Sequence, residues 1–231
     1  MIAMTAGCSW RDRAVAPRAS FPAGMAIAVA PVLNFTGSTD FDPYQAADLL
    51  ASELTDFDGI VVIPVSRVLA ALAAEGRDQI ESPAHALRIA RTVGADAVLV
   101  AGVTEYDPYT PTVGLALQLY APDRKDPSPE ISDAAVRANQ PVGLEKNQDS
   151  LTPLGQIQKV YNATHDDVVS DVERYARRRD ADQSPYGWQE YVKVQTKYLR
   201  FCWHDALERM ATQQAAFYGA MVHDTDTEHA E

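Results

Sequence analysis

No apolar run in this sequence approaches the roughly 18–20 residues that a helix needs to cross a bilayer. Cysteine is scarce too, with only Cys8 and Cys202 in 231 residues. Two such distant cysteines cannot build a disulfide scaffold. Cys202 falls in a strongly helical stretch and reads as a small buried hydrophobe. Basic residues are outnumbered, 20 Lys and Arg against 32 Asp and Glu, for a net charge of −12. That balance disfavours nucleic acid as a partner, because phosphate binding needs clustered cations. The densest basic run, Arg174 to Arg179, is followed by Asp180 and Asp182, which partly cancel its field. It reads as a solvated helix end, where cations suit the dipole.

Catalytic and metal-binding spacings are also missing. There is no His-Glu-x-x-His, no Cys-x-x-Cys, no Gly-x-Ser-x-Gly elbow and no P-loop. No cofactor and no metal are therefore expected. The nearest approach to a metal cluster is His165-Asp166-Asp167, where acids at a helix start are ordinary capping. Asp180 and Asp182 alternate as in a calcium loop, but the Gly and distant Glu such loops use are missing. Thr36-Gly37-Ser38-Thr39 follows the first strand, where α/β proteins often bind ligands. A lone Gly among hydroxyls is more simply a turn.

What the chain does have is apolar content, 46%, enough for a real core. Met25 to Asn34 is a nearly continuous apolar run and reads as a strand buried on both faces. Asp42-Pro43 starts a helix whose Ala47, Leu50, Leu54 and Phe57 share a face. Gly59–Val65 is a β-branched strand, and Pro64 implies that it either ends there or lies near an edge. Ser66 is the expected N-cap of a helix ending at Gly76, and Ser82-Pro83 opens another that Gly94 closes. Ala95–Val103 is a third strand. Residues 112–120 alternate cleanly and predict a strand antiparallel to it. Residues 121–154 are Pro-punctuated and read as loop, Gly155–Tyr161 as a further strand. Asp166–Arg178 and Tyr186–Ala220 read as helices, the second long and aromatic. Trp188, Tyr198 and Phe201 are expected in the core. Trp203 falls off their face, and with Tyr218 it is the candidate partner surface.

At the amino terminus, Ala6-Gly7-Cys8 resembles a bacterial lipobox, in which cleavage before Cys precedes acylation of its thiol. Thr5 stands where Leu is usual, and only seven residues precede Cys8, too few for a signal peptide. Either the natural start lies upstream or the likeness is chance. Residues 11–24, with Pro17 and Pro22, read as a tether.

The order of elements carries a resemblance. The strand from Ile27 to Phe35, the helix through residues 47–54, the strand at 60–64 and the block Gly94-Ala95-Asp96-Ala97 through Gly102 and Tyr106 lie in sequence. Together they resemble the periplasmic lipoprotein superfamily of curli-secretion CsgG, the penicillin-binding-protein activator LpoB and the TolB amino-terminal domain. The likeness covers about residues 25–120. It implies an α/β fold, a small mixed sheet flanked by helices in a three-layer arrangement, here with a helical carboxyl-terminal extension. It also implies a non-enzymatic envelope protein, held at the periplasmic face of the outer membrane by a lipid on Cys8 and acting through protein contacts in assembly or secretion. The Pro-rich 121–154 stretch does not alternate, which argues against a pore. The organisation expected is an anchor and tether at 1–24, an α/β domain at 25–162, a helical extension at 163–222 and a disordered acidic tail at 223–231. An exposed strand edge would permit a homo-oligomer. The alternative is a soluble, cytoplasmic α/β domain that binds a small molecule or acts as an enzyme, using the 34–40 loop and the acidic 165–182 region.

Overall fold

The computed structural model describes residues 21, 24–121 and 152–228, with side chains described as far as residue 215. Cys8, nearly all of the tether, residues 122–151 and the Tyr218 side chain lie outside the described residues.

Six strands form one mixed sheet: β1 (Met25–Val29), β2 (Leu33–Asn34), β3 (Ile60–Ile63), β4 (Ala97–Asp107), β5 (Thr112–Tyr120) and β6 (Gly155–Asn162). Their order is β3-β1-β4-β5-β6, with β2 also on β4. β1, β2, β3 and β4 run parallel, β5 pairs antiparallel with β4, and β6 pairs antiparallel with β5 and so runs in the direction of β4. The expected small mixed α/β sheet is what forms.

The first apolar run is two strands rather than one. Val29 pairs with Leu99 and Leu33 with Gly102, so four steps on one side match three on the other. The extra residue falls around Pro31, which has no N–H to give the ladder. The step swaps the faces. Ile27 and Val29 enter one core, whereas Leu33 packs on the other.

Among the described residues, six helices flank the sheet: α1 (Pro43–Leu54), α2 (Val65–Ala74), α3 (Pro83–Val93), α4 (Asp166–Arg177), α5 (Glu190–Lys193) and α6 (Gln195–Glu228). Asp42 caps α1, accepting the Tyr44 and Gln45 N–H groups, and Ser82 caps α3 by accepting that of His85. Gly94 ends α3 in the left-handed conformation at φ 73°. Ser66 is not a cap. α2 begins one residue earlier, with Pro64 in extended geometry before it. The long aromatic helix is interrupted, because Val194 is extended and separates α5 from α6. α6 then runs to Glu228, past the point where the acidic tail was expected to begin.

Two cores result. α2 and α3 cover Ala28, Val98 and Val100 on one face. α1, α4, α5 and α6 cover Ile27, Leu99, Leu115, Leu117 and Ile157 on the other. Asp96 ties the start of β4 to β1: its Oδ2 accepts the Ala26 N–H at 2.8 Å, and its own N–H donates to the Ala26 carbonyl. The Gly94-Ala95-Asp96 block thus serves as a helix stop followed by a strand tie.

Candidate functional site

The most chemically loaded cluster lies where the end of α1 meets α4 and α6. The buried face of α1 comprises Ala46, Ala47, Leu50 and Leu54, and Glu53 falls among them, fully buried. Its Oε2 accepts from Tyr175 Oη at 3.0 Å and Arg179 Nη2 at 2.6 Å; Oε1 accepts from Arg200 Nε at 2.8 Å. His204 Nδ1 stands 3.4 Å from Oε2. Arg179 also pairs with Asp56, and Arg200 donates to Ser52 Oγ. Beside the cluster is a recess of about 140 Å³, lined by Asp56, Phe57, Arg178, His204 and Glu208 together with Tyr175 and Arg179.

Burial would raise the Glu53 pKa. The His204, Arg179, Tyr175 and Arg200 contacts more than offset it and hold the carboxyl below its ordinary value. It is therefore a fixed anion near neutral pH and is not poised as a general acid or base. Burial, and then the Glu53 charge, push the Tyr175 phenol up, so it stays a donor. Glu53, Asp56 and His204 carry potential ligand atoms within 4.8 Å of one another, the geometry a metal would need. Two guanidiniums already engage the carboxylates, which leaves a cation poorly favoured. The arrangement is an ion-pair clamp that ties α1 to α4 and α6.

A second clamp ties α6 to β6. Asp205 Oδ2 accepts from Lys159 at 3.0 Å, Tyr161 at 2.8 Å and Arg209 at 2.7 Å. Burial raises the Asp205 pKa, but these three donors lower it further, and the net shift is downward.

The structure keeps the residues expected from sequence apart. The 34–40 loop closes on itself: Asn34 Oδ1 accepts from Thr36 N and Oγ1, Thr36 Oγ1 accepts from Ser38 N, and Ser38 Oγ accepts from Asp40 N. Its oxygens serve the turn. Asp166 and Asp167 occupy the first turn of α4. Asp180 accepts from the Tyr191 hydroxyl, and Asp182 lies in a short 3-10 turn. Cys202 is fully buried, and burial pushes its thiol well up, which makes it inert. Trp203 needs correction. It is fully buried (0% exposed), because α6 is sandwiched between α1 and the sheet and buries more than one stripe. It belongs to the core and offers nothing to a partner. Trp188 is half-buried, and Tyr198 and Phe201 are buried as expected.

Among the described residues, part of the sheet is left uncovered, which was not visible in the sequence. α2 and α3 shield the half of their face formed by β3, β1 and the start of β4. The half formed by the end of β4, β5 and β6 carries Phe35 and Val160, 64% and 54% exposed, with Gln156 and Gln158. Phe35 lies over Gly102, where a Cβ would come within 2.7 Å of its ring. A bulge at Val103/Glu105 turns both Thr104 and Glu105 toward Gly114.

No protein-family profile and no curated relative match the chain. Among solved structures, it is similar to the LpoB carboxyl-terminal domain from Salmonella enterica, at 24% identity and a TM-score of 0.37, covering 43% of this chain and 73% of that one. It is also similar to Escherichia coli LpoB, at 24% identity and a TM-score of 0.38, covering 43% and 50%. A third is a lipoprotein from Neisseria meningitidis, at 20% identity and a TM-score of 0.36, covering 49% and 92%.

Proposed function

We propose that this chain is a non-enzymatic, lipid-anchored protein of the bacterial envelope that acts through protein contacts in assembly or secretion, as the resemblance to the CsgG, LpoB and TolB amino-terminal superfamily implies. The observation that carries the reading is Ala6-Gly7-Cys8, small residues set before a cysteine and followed by a Pro-containing tether that leads into β1. Among the described residues no helix is long and apolar enough to cross a membrane, so the attachment proposed is the lipid alone. The clamp around Glu53 supports the non-enzymatic part, since its charged groups are engaged with one another. The open half-sheet supports the protein-contact part.

Cell fractionation tests it. Protein expressed from its native upstream DNA is expected with the membranes, and Cys8→Ala is expected to move it to the soluble fraction. Soluble recovery irrespective of Cys8 contradicts the reading.

A further inference from the structure

The geometry points to a specific docking surface, the aromatic and acidic end of the sheet, and to its partner: a basic protein segment that also carries aliphatic or aromatic side chains. The inference rests on the protein-contact half of the proposed function and adds the chemistry of the partner.

β4 does not stop where β2 does. Asn34 pairs with Val103, and β4 continues to Asp107, an arm about 13 Å longer at roughly 3.3 Å per residue. The β4–β5 turn at the tip of this arm holds Tyr109, which is 93% exposed. The turn is fixed, because Asp107 Oδ1 accepts the N–H groups of both Tyr109 and Thr110. The neighbouring 35–42 loop is fixed by its own hydroxyl network, and Phe41 packs edge-on against Tyr106 at 5.2 Å. Phe35 and Tyr109 are thus large apolar groups on ordered backbone. Such pre-ordering lowers the entropy lost when a partner docks.

The two chain segments that carry them hold acidic groups and no cation. No Lys or Arg occurs between Arg18 and Arg67, or between Arg91 and Arg124. Those two stretches contain β2, the 35–42 loop, the end of β4 and the β4–β5 turn, with Asp40 and the exposed Glu105; the adjoining end of β6 brings Lys159, which is paired with Asp205 of α6. The Asp40 charge reaches the Tyr106 phenol, whose pKa is raised first by burial and then by that carboxylate. Lys197, on α6, is paired with Glu190. Lys193 is exposed at the end of α5, next to Val192, which with Gln195 lines a recess against Tyr106 and Asp107. A basic, partly apolar segment complements this surface. A second copy of the chain does not. Its net charge is −12, and Arg174 and Arg177 in its densest basic run are paired with Asp171 and Glu173.

The probe is a fluorescein-labelled synthetic peptide alternating Arg with Leu and Trp, titrated against the full chain by anisotropy. A peptide with Glu in place of Arg serves as control. Tyr109→Ser combined with Phe35→Ser is expected to weaken binding about tenfold or more, and Glu105→Lys to weaken it as well. Both aromatics are exposed, so the melting temperature is expected to stay unchanged. Val61→Ser, which removes an exposed apolar group on β3, and Asp182→Lys, which changes charge elsewhere, are expected to change binding less than about twofold. No binding, undiminished binding by the aromatic double variant, or equal losses in the two controls would overturn the inference. The titration does not involve Cys8, so its failure and a failure of the membrane-fractionation test are separable.

Discussion

Replacing Glu53 by Gln keeps the shape of the side chain and removes its charge. Three hydrogen bonds end on this carboxylate, two of them from guanidiniums. Breaking a buried ion pair typically costs about 3–5 kcal/mol, because the abandoned charge stays buried. Here the discount is substantial. The side chains of Arg179 and Arg200 are 28% and 39% exposed, and Arg179 keeps Asp56. The expected loss for Glu53→Gln is therefore about 2–3 kcal/mol at neutral pH. For a chain of this length that corresponds to a fall of roughly 5–10 °C in melting temperature. The pH dependence has a definite sign. The folded-state pKa lies below the ordinary 4.5, so the network's contribution is fully present above 4.5 and is lost as pH falls through the folded value. The gap between wild type and variant should then be constant from pH 7 to about 5.5 and should shrink below 4.5. Urea unfolding followed by tryptophan fluorescence at several pH values measures it. A gap under about 0.5 kcal/mol at pH 7, or one that does not shrink in acid, refutes the clamp.

Further outcomes follow from the same contacts. Gly114→Ala should cost about 1–3 kcal/mol, because its Cβ would meet the Glu105 Cβ at 2.9 Å and backbone N at 3.2 Å. Gly102→Ala should cost less than about 1 kcal/mol, since the obstacle is the exposed Phe35 ring, which can swing away; equal losses in urea unfolding would contradict the difference. Cys202 should react with a thiol reagent only as fast as the chain unfolds, and rapid modification of the native Cys8→Ala protein would contradict its burial. Trp203→Ala should destabilise by about 3–5 kcal/mol, as removal of a large core side chain does. A near-neutral result would restore Trp203 to the surface.

Much of the fold was legible because local chemistry and global packing agree. Asp42-Pro43, Ser82-Pro83 and Gly94 mark helix ends with their own side chains or backbone freedom. The alternation in β5 places Val113, Leu115, Leu117 and Leu119 on one core face. What was hidden depends on neighbours distant in sequence. The split of the first strand needs the β4 register to reveal it. Trp203 reads as exposed only if α6 is covered on one side, and here it is covered on two. Glu53 left one signal, a charged residue set among Ala46, Leu50 and Leu54 on the buried face of α1. Its partners at 175, 179, 200 and 204 could not be foreseen without the packing of α4 and α6. The hydroxyls of the 34–40 loop were a weak ligand signal, and their mutual hydrogen bonds account for them.

The lipid anchor is tested most directly by metabolic labelling with a fatty-acid analogue, in cells that express the protein from its native upstream DNA. Label on the wild-type protein and none on Cys8→Ala is the result predicted. Absence of label from both would contradict the envelope-lipoprotein account.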